Sequence, residues 1–366
     1  MPQPNRGGRG GACGACGRRH SGPGEIVSDR LDFSSFAALR RTLAHGLPGP
    51  DPTMAAAARR RQDSLTKPPG SLGVLEELAV FLAGWQGRER PEIGRAQALI
   101  FAGNHGICAQ GVNLYPQAVT AGMVANFQAS GAAINQLCRA AGAELTVVPL
   151  ALDRPTCDFT VGPAMTEAEV LCALRTGAAA VDLRADVLLL GEMGIGNSTV
   201  AAALARALFG GHALDWVGPG TGVDGDGVSL KARVIEQGMA RHGADLTDGL
   251  AILAAFGGRE QAAICGAILA ARTARIPVIL DGFICTAAAC VLSHFEDALD
   301  HCIAGHCSAE PGHRRLLEKL GLRPVVTLDM RLGEGSGAAV ALSVLRAALA
   351  AHNGMATFAE AGISGP

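Results

Sequence analysis

The residue best placed to do chemistry in this chain is a lone carboxylate framed by glycine. In RLGEGSGAAVAL, residues 331–342, Glu334 stands among Gly333, Gly335 and Gly337. An apolar run, residues 324–328, precedes the segment and reads as a buried strand. A helix-forming run, residues 338–351, follows it. Open α/β sheets bind ligands at strand-to-helix turns of this kind, beyond the carboxyl ends of the strands. Glycines there let the backbone come close to a ligand. A plainer role is also open: a carboxylate in a first turn complements the positive end of a helix.

Other turns repeat the pattern. Gly103-Asn104-His105-Gly106 follows the apolar run 98–102, and GEMGIGNST, residues 191–199, follows 187–190. GPGTGVDGDG, residues 218–227, follows 214–217, and Asp281-Gly282-Phe283 follows 278–280. GHCSAEPGH, residues 305–313, follows the weaker candidate 298–304. In a parallel sheet these turns leave on one edge, forming a crevice lined with backbone N–H groups suited to phosphate and ribose. Each turn alone also serves close strand-to-helix packing. GEMGIGNST lacks the Gly-Lys pair of a Walker loop and is not the GxGxxG fingerprint. Lys231 can neutralise a phosphate or be a solvated helix lysine. His105, His306 and His313 have no metal-ligand spacing such as HExxH and read as structural histidines, so no metal is inferred. Cys13, Cys16 and His20 fall short of the four ligands of a structural zinc site.

These turns need a scaffold, and composition supplies its class. Half of the 366 residues are apolar but only 4% are aromatic, and the excess is Ala, Leu, Val and Gly. That is the composition of closely packed helices on a parallel sheet. A net charge of -2 gives no basic field for nucleic acid. No apolar run is long enough for a membrane span, and the N-terminus lacks a signal-peptide core. Eleven cysteines scattered through apolar runs read as reduced, buried thiols, pointing to the cytoplasm.

Residues 1–28, rich in Gly, Arg, Pro and Ser, read as a disordered tail. Residues 29–95 read as a small helical domain, to which the last helix can be added. Residues 96–352 form the α/β domain and 353–366 a C-terminal tail. Helices are expected near 33–47 and 53–90, the second broken at LTKPPGSLG. Strands are expected at 98–102, 145–150, 187–190, 214–217, 278–280 and 325–328, with 298–304 weaker. Helices between them are expected near 117–141, 166–180, 198–210, 227–242, 260–274, 284–294, 311–320 and 337–351. Thr166-Glu167-Ala168-Glu169 is a capping box, and Gly321 is a C-terminal stop. The expected fold is therefore Rossmann-like α/β: a mostly parallel sheet with helices on both faces, plus a smaller helical domain.

Taken together, KPPGSLG, FAGNHGI, GEMGIGNST, GPGTGVDGDG, PVILDGF, GHCSAEPGH and RLGEGSGAA occur in this order over roughly residues 35–352. They resemble the nicotinate-nucleotide–dimethylbenzimidazole phosphoribosyltransferase family of cobalamin nucleotide assembly. The resemblance implies a Rossmann-like domain with a small helical domain, a homodimer, and no cofactor. It implies transfer of phosphoribose from nicotinate mononucleotide to 5,6-dimethylbenzimidazole, giving α-ribazole 5′-phosphate and nicotinate. Glu334 matches the family's catalytic glutamate, a general base for the N–H of the attacking benzimidazole. Glu192 is the second catalytic carboxylate, binding ribose hydroxyls or supporting positive charge on the sugar. Gly194, Gly196, Asn197, Ser198 and Thr199 would cradle the phosphate, completed by Gly220, Thr221, Gly222 and Lys231. Asn104, His105, Asp281, Leu332 and Gly333 are further substrate-binding positions. Ser71, in KPPGSLG, would reach the site from the small domain or the neighbouring subunit.

The chain departs from the family pattern after FAGNHGI. The family has Gly-Val-Ser and a Gln beyond Tyr-Pro, in the region of the base pocket. Here Asn113 replaces the Ser, Gly122 the Gln, and Tyr115 is kept. A roomier pocket and a broader choice of base are expected. Two alternatives stand beside this reading: a related transferase using another aromatic base, and a nucleotide-binding regulator without chemistry. The regulator would need no base at position 334.

Overall fold

The computed structural model describes residues 31–220 and 222–364; Cys13, Cys16, His20 and Thr221 lie outside them. In chain order the elements are α1 (Phe36–Ala44), α2 (Pro52–Ser64), α3 (Val74–Gln86), β1 (Ala96–Ala102), α4 (Ala118–Gln128), α5 (Ala133–Ala141) and β2 (Ala143–Pro149). Then come α6 (Glu167–Ala180), β3 (Val187–Met193), α7 (Asn197–Phe209), α8 (Gly225–His242), α9 (Gly249–Phe256), α10 (Arg259–Thr273), β4 (Val278–Leu280) and α11 (Phe283–Cys290). β5 (Cys302–His306), α12 (Pro311–Leu320), β6 (Pro324–Val326) and α13 (Ser336–Gly354) complete the described chain.

The six strands form one parallel sheet in the order β2-β1-β3-β4-β5-β6. Successive side chains of a strand point to opposite faces, and here both faces are covered. Leu99, Phe101, Leu188 and Leu190 join one core with α6, α7, α9, α10 and α11. Ala98, Ile100, Leu189 and Ile279 join the other with α3, α5 and α13. This two-sided burial is why the strands read as unbroken apolar runs. The strand order reverses between β1 and β3, the place where such sheets leave a crevice.

The expected capping box is present: Glu169 N–H donates to Thr166 Oγ1 and Thr166 N–H to Glu169 Oε2. Gly321 ends α12 in the left-handed region. Three expectations fail. Residues 214–217 are not a strand; a 3-10 turn, Ala213–Asp215, takes their place. Asp215 accepts the His212 N–H and Trp216 donates to Gly210 O, so local hydrogen bonds win over so short an apolar run. The segment 117–141 is two helices, broken where Ser130 takes a positive φ and Asn135 caps the Ala132 N–H. α9 was not anticipated because its sequence, GLAILAAF, is apolar all round and shows no helical stripe; its signal was Asp248, which caps the Ala251 N–H. Among the described residues no helix is long and apolar enough to cross a membrane.

α6 and α10 cross at backbone contact. A Cβ on Gly177 would collide with the Ala263 carbonyl, and one on Gly266 with the Leu174 carbonyl. Neither neighbour can swing aside as a side chain would. Gly177→Ala or Gly266→Ala should therefore cost at least about 1–3 kcal/mol. Gly243→Ala, where a Cβ meets nothing within 4 Å, serves as the control. Thermal unfolding of the three variants checks this; equal midpoints would mean that the crossing can relax.

Candidate functional site

A cavity of about 520 Å³ opens above the sheet. Its wall is built by the turns after β3 (Glu192, Gly194, Asn197), β4 (Gly282, Phe283), β5 (His306, Ser308, Glu310) and β6 (Arg331 to Glu334). Gly220 and Tyr115 add to it. The turns thus converge on one crevice as the sequence implied, although the turn carrying Gly220 does not follow a strand.

Glu334 occupies an unusual backbone. Gly333, Glu334 and Gly335 have φ of 81°, 63° and 83°, three consecutive left-handed residues. Glycine adopts this freely, but a glutamate does so at a cost that clusters at functional sites. Glu334 is 7% exposed and its Oε2 has no hydrogen-bond partner. Burial raises its pKa above the usual carboxylate value, partly offset by the Ile134 N–H.

Glu192 shares the cavity. Asn197 donates from its side-chain amide to Glu192 Oε2, while Oε1 lies so near Gly333 that a Cβ there would stand 2.6 Å away. Burial pushes the Glu192 carboxyl up to about 8, helped by the negative charges of Asp281 and Glu260. A carboxyl in that state is largely protonated at neutral pH and can donate to an oxygen.

Asp281 does not face the cavity. Its oxygens accept the N–H groups of Gly335, Gly337 and Ala338, and burial raises its pKa to about 7. His105 is fully buried against Glu260, at 3.0 Å. Asn104 donates to Leu152 O, and Asn113 to Tyr115 O. None of these four lines the cavity in this chain.

The expected phosphate cradle is partly on the wall. Gly194, Asn197 and Gly220 line the cavity; Gly196, Ser198, Thr199, Gly222 and Lys231 do not. Lys231, buried, donates to Gly218 O at 3.1 Å and Ser198 Oγ at 3.3 Å, tying the two turns together. Burial lowers its pKa and the Glu310 carboxylate works against that. Gly220 separates this ammonium from the cavity, since a Cβ there would lie 2.9 Å from Nζ. Gly122 is exposed on α4 with open space around it, so the pocket enlargement expected there does not arise within one chain. Ser71 is also exposed. The loop that carries it is anchored by the Leu65–Thr357 pairing beyond the far end of α13, a 19-residue helix and so about 28 Å long.

Sequence reasoning missed Glu310 and Arg331 and understated His306. Glu310 accepts the Gly220 N–H at 3.0 Å and keeps Oε2 unpartnered; Arg331 donates to Gly220 O at 3.1 Å. The signal for Glu310 was the one used for Glu334, a carboxylate in a polar, glycine-bearing turn after a strand. His313 is satisfied by the Ser308 N–H and Thr286 Oγ1, as a structural histidine should be. His306 lines the cavity and leaves Nδ1 unpartnered.

Known proteins resemble this chain over most of its length. The phosphoribosyltransferase family profile matches residues 47–363. The chain is 62% identical to the nicotinate-nucleotide–dimethylbenzimidazole phosphoribosyltransferase of Rhodobacter capsulatus (91% of this chain, 99% of that one). It is 57% identical to that of a Ruegeria species (91% and 98%). The chain belongs to the nicotinate-nucleotide–dimethylbenzimidazole phosphoribosyltransferase family. A crystal structure of the Thermus thermophilus enzyme of that name superposes with a TM-score of 0.80 at 42% identity, covering 86% of this chain and all of the other. The Rossmann-like fold expected from the sequence is thereby shown, with the single parallel sheet described above.

The raised pKa of Glu192 has a consequence for stability. The folded state holds a proton that the unfolded chain releases above about pH 4.5, so stability is lost as pH rises towards the folded value. Glu192→Gln removes this loss. Its melting temperature relative to the wild type should rise between about pH 5 and about pH 9. A pH-independent difference would place an ordinary, ionised carboxylate at 192.

Proposed function

We propose that this chain moves the 5-phosphoribosyl group of nicotinate mononucleotide to 5,6-dimethylbenzimidazole, in the assembly of the cobalamin nucleotide loop. The observation that carries the mechanism is Glu334: a buried carboxylate with an unpartnered oxygen, set in a left-handed turn on the cavity wall. One ring nitrogen of the benzimidazole attacks the anomeric carbon as the bond to the pyridinium nitrogen breaks. The bonding electrons leave with nicotinate, whose ring becomes neutral. Glu334 takes the proton from the other benzimidazole nitrogen, so the transferred base also ends neutral. Attack opposite the leaving group turns the β-nucleotide into an α-nucleotide, and both rings must be held on opposite faces of the ribose. Much of the rate gain then comes from positioning.

Glu192, supported by Asn197, faces the sugar, where its carboxyl binds a ribose hydroxyl. The phosphate lies against Gly194, Asn197 and Gly220, with Lys231 behind and Arg331 at the rim. The base lies towards Tyr115, Phe283 and Leu332. Exposed Leu114, Tyr115 and Leu332 near the mouth suit coverage by a second copy, and the exposed Ser71 loop suits the same role. We therefore infer a homodimer whose neighbouring subunit closes the cavity. The small helical unit comprises α2, α3 and the end of α13, where Arg61 donates to His352 O and Gln62 meets His352 Nδ1. A cytoplasmic setting suits thiols buried in the core, such as Cys138, Cys265, Cys285 and Cys290.

Glu334→Gln should fold and bind both substrates yet lose at least ~100-fold in kcat. The wild-type rate should rise with pH through an inflection above the ordinary glutamate value, because burial raises this group and only its ionised form accepts the proton. The variant should lack that inflection. Nicotinate release followed across pH checks both statements, and near-normal turnover in the variant would remove Glu334 from the mechanism.

Lys231→Ala should raise KM for nicotinate mononucleotide several-fold, by about 1–2 kcal/mol of lost charge-assisted binding, and change KM for the base much less. Equal rises for both substrates would mean that Lys231 only ties the Gly218 turn to α7.

A further inference from the structure

The family reaction explains why a base stands at position 334 but not what holds it there. Glu334 is the one non-glycine residue in the left-handed run 333–335, and that run has no repeating structure of its own to keep it in place. Two things fix it from outside. The first is a close backbone approach: a Cβ on Gly191, in β3, would stand 2.5 Å from the Gly335 nitrogen. The second is Asp281, at the end of β4 and 1% exposed. Its Oδ2 accepts the Gly335 N–H at 3.1 Å, and its Oδ1 accepts those of Gly337 at 2.7 Å and Ala338 at 3.0 Å. Gly335 is the residue directly after the base.

We propose that Asp281 is a positioning residue for the transfer: by gripping the Gly335, Gly337 and Ala338 amides it locks the turn that aims Glu334 into the cavity. The proposal rests on the reading of Glu334 as general base. A side chain that only capped α13 would serve the helix and leave the preceding turn free. The bond to Gly335, which lies at the N-cap with φ of 83°, reaches across that boundary and couples cap to base. The neighbouring packing agrees. Gly305 of β5 brings a would-be Cβ within 2.9 Å of Ala338 Cα, so the start of α13 sits directly on the sheet edge. His306 Nε2 lies 3.8 Å from Asp281 Oδ1 and its ring fills the space that Gly337 leaves free. Asp281 itself has no cavity-facing surface, so its influence on the reaction must pass through the turn.

The test is a double-mutant cycle with full-length protein, measuring kcat and both KM values for wild type, Asp281→Asn, Glu334→Gln and the double variant. Asparagine offers one acceptor oxygen and presents an amide to backbone donors, so it releases part of the grip with little change in volume. Asp281→Asn alone should lower kcat ~10- to 100-fold, the scale of a misplaced catalytic group. Both KM values should stay within about threefold, because the substrate contacts are elsewhere. On the Glu334→Gln background the same change should cost less than about threefold, because the group it positions is already gone. A loss of equal size on both backgrounds, or a rise in KM for nicotinate mononucleotide at unchanged kcat, overturns the proposal. Near-normal turnover in Glu334→Gln alone overturns the general-base reading instead. If Asp281→Asn does not fold, Asp281→Ser replaces it: a serine oxygen still caps α13 but is too short to hold Gly335 as well. The same dependence on Glu334 is then expected, and independence from it overturns the proposal.

Discussion

The constraint on which this site depends is the burial of carboxylates with few cations beside them. Glu192, Asp281 and Glu334 gather at the ends of β3, β4 and β6, each less than 10% exposed, and no lysine or arginine among the described residues forms an ion pair with any of them. An unpaired buried charge is costly, and a group in that position raises its pKa or collects N–H donors. The three divide these solutions. Asp281 takes three backbone amides at a helix N-terminus, where negative charge is also favoured by the dipole. Glu192 takes the Asn197 amide and retains a proton into the neutral range. Glu334 is left with an unsatisfied oxygen, the arrangement expected of a group meant to receive a proton.

The turn geometry follows from the same constraint. Backbone must crowd in to supply donors, and it can do so only where side chains are missing. Gly191 admits Gly335, Gly337 admits His306, and Gly333 admits Glu192. The glycines of RLGEGSG are therefore spacers in a three-dimensional contact set as well as turn residues. Lys231 and Glu310 show a related arrangement on the other side of the cavity, where a buried cation and a buried carboxylate brace Gly218 and Gly220.

Much of this was legible in the sequence, and the rest was not for identifiable reasons. The parallel sheet could be read because strands buried on both faces are unbroken apolar runs punctuated by glycine turns, as at 187–190 and 278–280. Residues 214–217 imitated that signal, and only the local bonding of Asp215 and Trp216 gives them away. Glu334 stood out because a lone carboxylate among glycines follows a strand-like run, and the structure sets it on the cavity wall. The place of Asp281 was found but its orientation was not: a sequence shows that an aspartate ends a strand, not whether it turns towards the ligand or towards a neighbouring helix. The surroundings of Lys231 were hidden in the same way, as its partners Ser198 and Gly218 are not sequence neighbours of it. Gly122 marks a limit of motif comparison, since the motif ties the position to a pocket and the single chain leaves it exposed with open space around it.

The site consequently has two mechanical grades. Its floor is made of buried carboxylates, backbone amides and glycines in contact, where a shift of one group displaces several others. Its mouth is made of Tyr115, Leu332 and Arg331, which are exposed. Bond exchange at the anomeric carbon needs the rigid part, because proton acceptor, sugar and leaving group must be aligned together. Shape and apolar contact discriminate weakly between ligands, and Tyr115 and Leu332 offer little else at the mouth.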